Sequence, residues 1–491
     1  MRRRVFLFFI VVVLEFFFIN FAYAVPLKAD LLRTSARITN GTQDFTIPGF
    51  GEVKAAIIVL SNAKENNVMT GDAPALSFGV TDGFRQYAIS SGTKDGVTEE
   101  SNYGPVNVYS EKNVAVMLDY PEKIVATASF LEMIPDGIRL NWTLAPSQPV
   151  LITVTLLGGD SLNVYAGSFV APTTSDTDID ITAPGFLPDT VILAGSSAIT
   201  PEKPNIPGHF AEVNIGFAKR SPAYQTSFFW NSWEDTYPTS QSSFVSTQYV
   251  YYSALQDVAI EINNFDSTGF SAWTRLTSQY SWRYFYLVFE SNDSIKSWVG
   301  VLDSPTTLDI TPPGDYSFTA PGIKPEFALM MTNPTGSPTD HIKRTNFVGA
   351  GSAGITILAN DKMFTNGILD TDGLNMADTE SWSSDLLWVR RADKIDTHIA
   401  SLVSFDDSGL TFHYTTVLDD TVRKWPTLII GTQISECQGA DEYPYGNCDQ
   451  CVNQAELEAY IQDFYNNGIS ISQLSDTIAI YLTDLQNPSC P

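Results

Sequence analysis

The sequence predicts a mainly β protein: three tandem antiparallel β-sandwich domains followed by a small helical hairpin. Three observations carry this prediction. Short phrases recur three times in one order, short runs of branched residues fill the chain between them, and the apolar period becomes helical near the C terminus. A length of 491 residues also suits about three domains of ordinary size.

The recurring phrases define the repeat. The first is a Pro-Gly pair followed by an apolar run, and its glycines are Gly49, Gly185 and Gly322. The second places a glycine four residues after a large apolar residue, at Gly137, Gly269 and Gly409. Between them lies a third, at Phe78-Gly79-Val80, Ile215-Gly216-Phe217 and, less closely, Phe347-Val348-Gly349. Three ordered recurrences indicate tandem units of one fold.

Each unit is predicted to be a two-sheet sandwich of the jelly-roll kind, because its strands are short and are bounded by Gly, Pro, Asn or Asp. Clusters of Pro, Ser, Thr and Asp mark the boundaries, which gives repeats at 25–172, 176–303 and 308–433. The links are short, so we expect the domains to stack with limited freedom.

The N terminus has the order of a secretion signal. Three Arg precede an apolar run that ends in Ala22-Tyr23-Ala24, so residues 1–24 are predicted to be removed. A retained anchor is the alternative, and Glu15 within the run disfavours it. No later stretch has the roughly 20 apolar residues of a spanning helix. We therefore expect a secreted, extracellular or cell-surface protein without a membrane span after signal removal.

Charge excludes one class of partner. The net charge is −27, and removal of three Arg and one Glu with the signal makes it −29. Nucleic-acid binding requires Lys and Arg to neutralise phosphates, so no nucleic-acid partner is expected. An acidic, solvated surface is the simplest interpretation.

The last segment, 437–491, is predicted to be a helical hairpin that contains every cysteine. Apolar residues recur at helical spacing, and Asn453 and Ser470 begin capping boxes. An exported protein favours disulfides among Cys437, Cys448, Cys451 and Cys490, with three connectivities open. The oxygen ligands of a calcium loop are mostly missing around Gly468, so no metal is placed there.

Two resemblances follow from these residues. The order Pro184-Gly185-Phe186, Ile215-Gly216-Phe217 and Asn264 to Ser271 resembles a β-sandwich repeat of phage tail-fibre and other phage structural proteins, and of bacterial surface proteins. The C-terminal segment looks like a dockerin-like or degenerate EF-hand-like module. The first resemblance implies a virion-like or cell-surface setting, and neither implies a catalytic residue or a cofactor.

The sequence assigns no catalytic residue, metal site or cofactor. Four His occur, and no two have the spacing of a helical zinc site. Carboxylate pairs such as Glu234-Asp235 and Asp406-Asp407 lie in turn-like segments, where a solvated turn is a simpler interpretation than a glycosidase pair.

Aromatic residues give the strongest candidate for a binding site. The second repeat has a turn-like stretch that the others lack, in which aromatic and polar residues alternate: Trp230, Trp233 and Tyr237, with Glu234 and Asp235. Flat apolar rings beside hydrogen-bonding groups suit a sugar or a protein surface. We therefore predict that these five residues bind a surface glycan or a protein partner.

Two classes of function remain open from the sequence. The favoured one is a secreted or cell-surface, non-enzymatic protein that binds or assembles at a surface, adhesin-like and possibly glycan-binding, with self-assembly as a further expectation. The alternative is an extracellular polysaccharide-acting enzyme, a glycoside hydrolase or lyase. A cleft with two facing carboxyl groups about 5 to 10 Å apart would favour the enzyme.

Overall fold

The structure is a computed structural model and describes most of the chain up to residue 433. The described residues are 27–71, 74–93, 106–119, 123–204, 210–221, 223–233, 242–253, 258–276, 281–290, 295–320, 322–332, 351–371, 378–390, 396–406, 409–418 and 422–433, with 457, 458, 460–462, 478 and 481. The chain divides into two compact units, 1–432 and 433–491. The signal segment and all four cysteines lie outside the described residues. Removal of the signal and formation of disulfides therefore stay predictions.

The larger unit is built from strands. The first set is β1 (Lys28–Ser35), β2 (Gly41–Thr46), β3 (Val53–Ser61), β4 (Val68–Gly71), β5 (Ala75–Thr81), β6 (Gln86–Gly92), β7 (Val106–Ser110), β8 (Ala115–Asp119), β9 (Lys123–Ile134), β10 (Gly137–Leu144) and β11 (Leu151–Gly158). The second is β12 (Asn163–Val170), β13 (Thr177–Ile181), β14 (Thr190–Ser196), β15 (Phe210–Lys219), β16 (Tyr224–Trp233), β17 (Ser242–Ser246), β18 (Tyr251–Ser253), β19 (Val258–Asp266), β20 (Gly269–Leu276) and β21 (Arg283–Glu290). The third is β22 (Ile295–Asp303), β23 (Gly314–Thr319), β24 (Ile323–Thr332), β25 (Gly351–Ala359), β26 (Lys362–Thr371), β27 (Asp378–Ser384), β28 (Leu387–Arg390), β29 (Asp396–Asp406), β30 (Gly409–Val417) and β31 (Lys424–Gln433). The prediction of a mainly β protein is confirmed.

Each set forms one six-stranded and one four-stranded sheet in the same order, and β4 of the first set lies outside both. The six-stranded sheets are β1-β11-β3-β5-β6-β7, β12-β21-β14-β15-β16-β17 and β22-β31-β24-β25-β26-β27. The four-stranded sheets are β2-β10-β9-β8, β13-β20-β19-β18 and β23-β30-β29-β28. We call the three sheet pairs the first, second and third repeats. Within each, the two sheets enclose an apolar core of their own.

The repeats do not begin where the sequence predicted. β12 (Asn163–Val170) precedes the predicted boundary at 172–176, yet it pairs with β21 and so belongs to the second repeat. In the same way β22 (Ile295–Asp303) precedes the boundary at 303–308 but pairs with β31 of the third repeat. The sheets therefore change at 158–163 and 290–295, because a Pro- and Ser-rich stretch here connects two strands of one repeat instead of two repeats.

A fourth core joins the repeats. The outward faces of the three six-stranded sheets bury one shared cluster, which we call the central core: it includes Ile57, Val59, Phe78, Ile192, Ile215, Phe217, Trp230, Phe285, Leu287, Leu329, Ile355, Ile357 and Ile430. Along β3, Ile57 and Val59 face the central core, while Ile58 and Leu60 face the core of the first repeat. The strand is thus buried on both faces, which explains its unbroken apolar sequence.

The three repeats contact one another in a closed ring. The first strand of each repeat lies against the preceding repeat: Ala166 of β12 donates its N–H to Asp82 Oδ2 at 3.0 Å, and Ser297 of β22 donates its hydroxyl to Asp189 Oδ2 at 2.6 Å. The third contact closes the ring, because Asp30 of β1 binds Lys362 Nζ of the third repeat at 2.6 Å. The expectation of stacked domains is therefore replaced by three repeats around one core.

The recurring glycines have two structural causes. Gly49, Gly185 and Gly322 have φ values of 77°, 74° and 75°, a conformation that residues with a Cβ rarely adopt. At Gly137, Gly269 and Gly409 the facing strand comes so close that a Cβ would lie 2.0, 1.8 and 1.9 Å from a carbonyl oxygen. Both phrases therefore mark turns of the sandwich and carry no chemistry of their own.

The smaller unit, 433–491, has few described residues. Those at 457, 458, 460–462, 478 and 481 are helical, and Tyr460 is buried. The helical hairpin itself stays a prediction. Across the described part of both units, no helix is long and apolar enough to cross a membrane.

Candidate functional site

The predicted aromatic site divides between the core and residues outside the structural description. Trp230 lies on β16, is 0 % exposed and belongs to the central core. A ring without exposed surface cannot stack on a ligand, so the surface role predicted for Trp230 is corrected. Trp233 is the last residue of β16 and lies opposite Phe210 in the register. Glu234, Asp235 and Tyr237 lie outside the described residues.

A groove of about 630 Å³ lies elsewhere in the second repeat. It is lined by the end of β15 and the turn to β16 (218–220 and 223–225), by residues 247–248, by the outer part of β19 (261–265) and by Trp273 of β20. We call it the second-repeat groove. It combines aromatic, amide and charged side chains in one concave surface, as a polar ligand requires.

Trp273 faces outward because β20 alternates. Phe270, Ala272 and Thr274 are fully buried, while Trp273 and Arg275 point away from the core and are half-buried. The Arg275 guanidinium carbon lies 3.4 Å from the Trp273 ring centroid, and its Nε binds Glu261 Oε2 at 2.9 Å. The indole is therefore held in place by a cation that is itself fixed.

Amide groups lie along the other parts of the groove. Gln225 Oε1 accepts the N–H of Ile262 at 2.9 Å, a bond between the two sheets. Asn263 is exposed and donates its amide to Asp178 Oδ1 at 2.7 Å, which leaves its own carbonyl oxygen as an acceptor. Asn264 beside it is also exposed. The groove thus offers hydrogen-bonding groups of fixed orientation near an indole ring.

The three repeats differ at the position of Trp273. In the second repeat, Trp273 lies between Asp178 and Glu261 in the sheet register. The corresponding rows are Thr42, Asn141 and Ser129 in the first repeat, and Asp315, His413 and Ser401 in the third. Of these three rows, only that of the second repeat contains an indole. A ligand that stacks on an aromatic ring there would be specific to this repeat.

A second groove, of about 870 Å³, lies where the first repeat meets the start of β12, and it is more apolar. Its lining includes Phe84, which is 92 % exposed, and Leu131, which is 51 % exposed. Phe84 lies on a rigid turn, because Asp82 Oδ1 accepts the N–H groups of Phe84 and Arg85 at 2.9 and 2.7 Å. We call it the first-repeat groove.

Of the carboxylates considered for catalysis, the structure describes Asp406. Asp406 accepts hydroxyl hydrogen bonds from Ser404 and Thr411 and so stabilises its own hairpin. Asp407, Glu234 and Asp235 lie outside the description. Among the described residues no group of three or more His, Cys, Asp or Glu is placed to hold a metal ion.

Comparisons with known proteins assign no function to the grooves. The chain matches no protein-family model, no curated protein and no solved structure with which it was compared. Trp273 was not among the predicted site residues, although the sequence carries a pattern that marks it. In Gly269 to Arg275 the small and apolar residues alternate with Ser271, Trp273 and Arg275, which places a Trp on the polar side of a strand.

Proposed function

We propose that the protein is a secreted or cell-surface, non-enzymatic binding protein, and that the second-repeat groove binds carbohydrate. The observation that carries the proposal is Trp273, an indole held by Arg275 at the edge of a groove with exposed amides. Sugars bind through stacking on flat aromatic faces together with hydrogen bonds to their hydroxyls. An adhesin-like role follows, with a surface glycan as the partner.

The charges of the groove favour binding over hydrolysis. Glycoside hydrolysis requires two carboxyl groups about 5 to 10 Å apart. Glu261 is the one carboxylate among the residues that line this groove, and Arg275 already pairs with it. The pair positions the indole, which is a structural use of the carboxylate. Asp178, on the other side of Trp273 in the sheet, accepts the Asn263 amide.

The test is binding of the full chain to an immobilised glycan array, with Trp273→Ala as the variant. Loss of an aromatic anchor costs more than about 1 kcal/mol, so roughly fivefold weaker binding is expected. Trp273→Tyr retains a ring and should recover part of the affinity. Phe84→Ala is the matched control, since it removes an exposed aromatic from the first-repeat groove.

Three results would contradict the proposal. Equal binding by Trp273→Ala and the unaltered protein would exclude this groove as the site, and a loss confined to Phe84→Ala would move the site to the first-repeat groove. Release of reducing ends or unsaturated sugars from any bound polysaccharide would favour the glycoside hydrolase or lyase alternative.

The finer parts of the prediction belong to the same proposal. We propose that each sheet pair is a jelly-roll-like sandwich, that the repeat is related to phage tail-fibre and structural proteins, and that 437–491 is a dockerin-like helical hairpin. The pairing of the first strand of each repeat with its last, as between β1 and β11, supports a sandwich of this kind. A protein partner or self-assembly at the surface remains compatible with this setting.

A further inference from the structure

We propose that the ligand of the second-repeat groove is an anionic carbohydrate, a polysaccharide that carries carboxylate or sulfate groups. This inference rests on the proposed carbohydrate binding and adds the chemical class of the sugar. The basic residues at one end of the groove support this class of ligand.

That end of the groove is positively charged in an acidic protein. Lys219 ends β15, Arg220 begins the turn that follows, and both line the groove. Lys296 of β22 lies within electrostatic reach of Lys219, where the third repeat contacts the second. These three cations lie together in a chain that has 28 basic and 55 acidic residues. A local positive potential within a concave site attracts anionic ligands.

One carboxylate, the buried Asp189, faces this cluster and neutralises part of its charge. Arg220 Nη2 forms an ion pair with Asp189 Oδ1 at 3.6 Å, and Asp189 Oδ2 also accepts the Ser297 hydroxyl at 2.6 Å. Glu261 is paired with Arg275. Among these described residues, the cations Lys219, Arg220, Arg275 and Lys296 outnumber the carboxylates Asp178, Asp189 and Glu261 by one.

Lys219 itself is in an environment that an anion would improve. Burial lowers the pKa of Lys219, Asp189 opposes that shift, and the charges of Lys296 and Arg220 lower the pKa further. A ligand carboxylate or sulfate near the ammonium would offset both effects, because an opposite charge favours the charged form. The ligand charge would then lie next to a cation whose solvation is already reduced, where charge-assisted hydrogen bonds are strong.

The other repeats lack these cations at the same place. Strand β5 of the first repeat is followed by Asp82, and strand β25 of the third is followed by Asn360. Asp82 pairs with Arg85, and Asn360 donates to Asp30. The basic end and Trp273 are therefore both particular to the second repeat, as expected if they serve one ligand.

The experiment uses two pairs of probes, and each pair compares a polysaccharide with a less charged derivative of the same backbone. These are polygalacturonate with its methyl ester, and chondroitin sulfate with its desulfated form, each titrated against the full chain by calorimetry. We expect at least one charged probe to bind, its less charged partner to bind roughly tenfold more weakly, and binding to weaken as NaCl rises from about 50 to 300 mM. The pair that responds distinguishes carboxylate from sulfate recognition.

Substitutions tie the effect to the groove. Lys219→Met and Arg220→Gln should each weaken binding of the charged probe roughly tenfold. Lys123→Met removes an exposed lysine from the first repeat and should change nothing. Circular dichroism of each variant verifies that it is folded.

The outcomes test the charge of the ligand and carbohydrate binding separately. If both charged probes fail to bind, or if Lys219→Met and Arg220→Gln bind them as Lys123→Met does, the anionic ligand is wrong. Carbohydrate binding would still stand if neutral glycans bind on the array and Trp273→Ala abolishes that binding. Absence of binding to any charged or neutral glycan would reject both proposals.

Discussion

Lys362 Nζ and Asp30 Oδ1 lie 2.6 Å apart although 332 residues separate them in the chain. Asp30 is on the first strand of the first repeat, and Lys362 begins β26 of the third. Asn360 donates a further hydrogen bond to Asp30 at 2.8 Å. The first and last repeats are thus joined directly, and the ring does not depend on sequence neighbours alone.

Arg33 should be essential to this closure. From β1 it binds Ser384 O at 2.7 Å, Thr365 O at 3.1 Å and Asn366 Oδ1 at 3.2 Å in the third repeat. Burial lowers the pKa of Arg33 to about 9, and Asp385 opposes the shift, so the guanidinium stays charged at neutral pH. We expect Arg33→Met to cost about 2 to 4 kcal/mol in urea unfolding, because three acceptors lose a charged donor.

The control for that experiment is Arg37→Met. Arg37 is half-buried and bonds within its own loop, for example to Thr39 O at 2.6 Å, so about 1 kcal/mol or less is expected. Equal losses for the two variants would mean that the contacts of Arg33 with the third repeat do not hold the ring closed.

Glu212 should make stability fall as pH rises. It lies inside the second repeat, accepts the Tyr251 hydroxyl at 2.5 Å and donates its N–H to Asn107 Oδ1 of the first repeat at 2.6 Å. Burial, the largest effect, raises its pKa from 4.5 to about 8. Between these values the folded chain binds more protons than the unfolded one, so the free energy of unfolding decreases with rising pH.

The measurement compares the unaltered protein with Glu212→Gln from pH 5 to 9. The variant stays neutral, so its stability relative to the unaltered protein should increase across the window. The difference in stability between the two proteins cancels the contributions of other titratable groups. One of these is His398: burial lowers its pKa to about 4, so its contribution changes in the opposite direction at lower pH. Parallel curves would show that Glu212 does not titrate in this range.

The second repeat, expressed with the bounds that its sheets define, should fold and associate with copies of itself. Residues 159–294 contain β12 to β21, whereas 176–303 lack β12 and carry the unpaired β22. Expressed alone, residues 159–294 would expose the part of the central core that this repeat contributes, including Phe217, Phe228 and Leu287. Because large apolar faces drive association, we expect a trimer by light scattering. A folded monomer of 159–294, or a stable 176–303, would contradict the shared core.

Export and oxidation remain to be measured on secreted protein. Mass spectrometry should show a chain that starts near Val25 and has no free thiol, given the N-terminal signal pattern and four cysteines confined to 437–491. Four alkylatable thiols in native material would exclude disulfides, and an intact Met1 would favour the retained anchor.

Local patterns predicted the strands and the repeat, but not what the strands bury against. The apolar run of β3 is visible in the sequence, and alternation cannot say that Ile57 faces other repeats while Ile58 faces its own. The same limit applies to Trp230: its Asn- and Ser-rich neighbours indicated a surface, and tertiary packing placed it at 0 % exposure. Trp273 was predictable in principle, since its strand alternates clearly.

Fusing three copies into one polypeptide has a consequence for evolution. In an assembly of identical subunits, every substitution appears at all three equivalent places, so a change that suits one place must be tolerated at the others. Here Asn141, Trp273 and His413 occupy matching positions and have diverged separately. A single chain can therefore keep two copies as scaffold while the remaining copy acquires a new specificity.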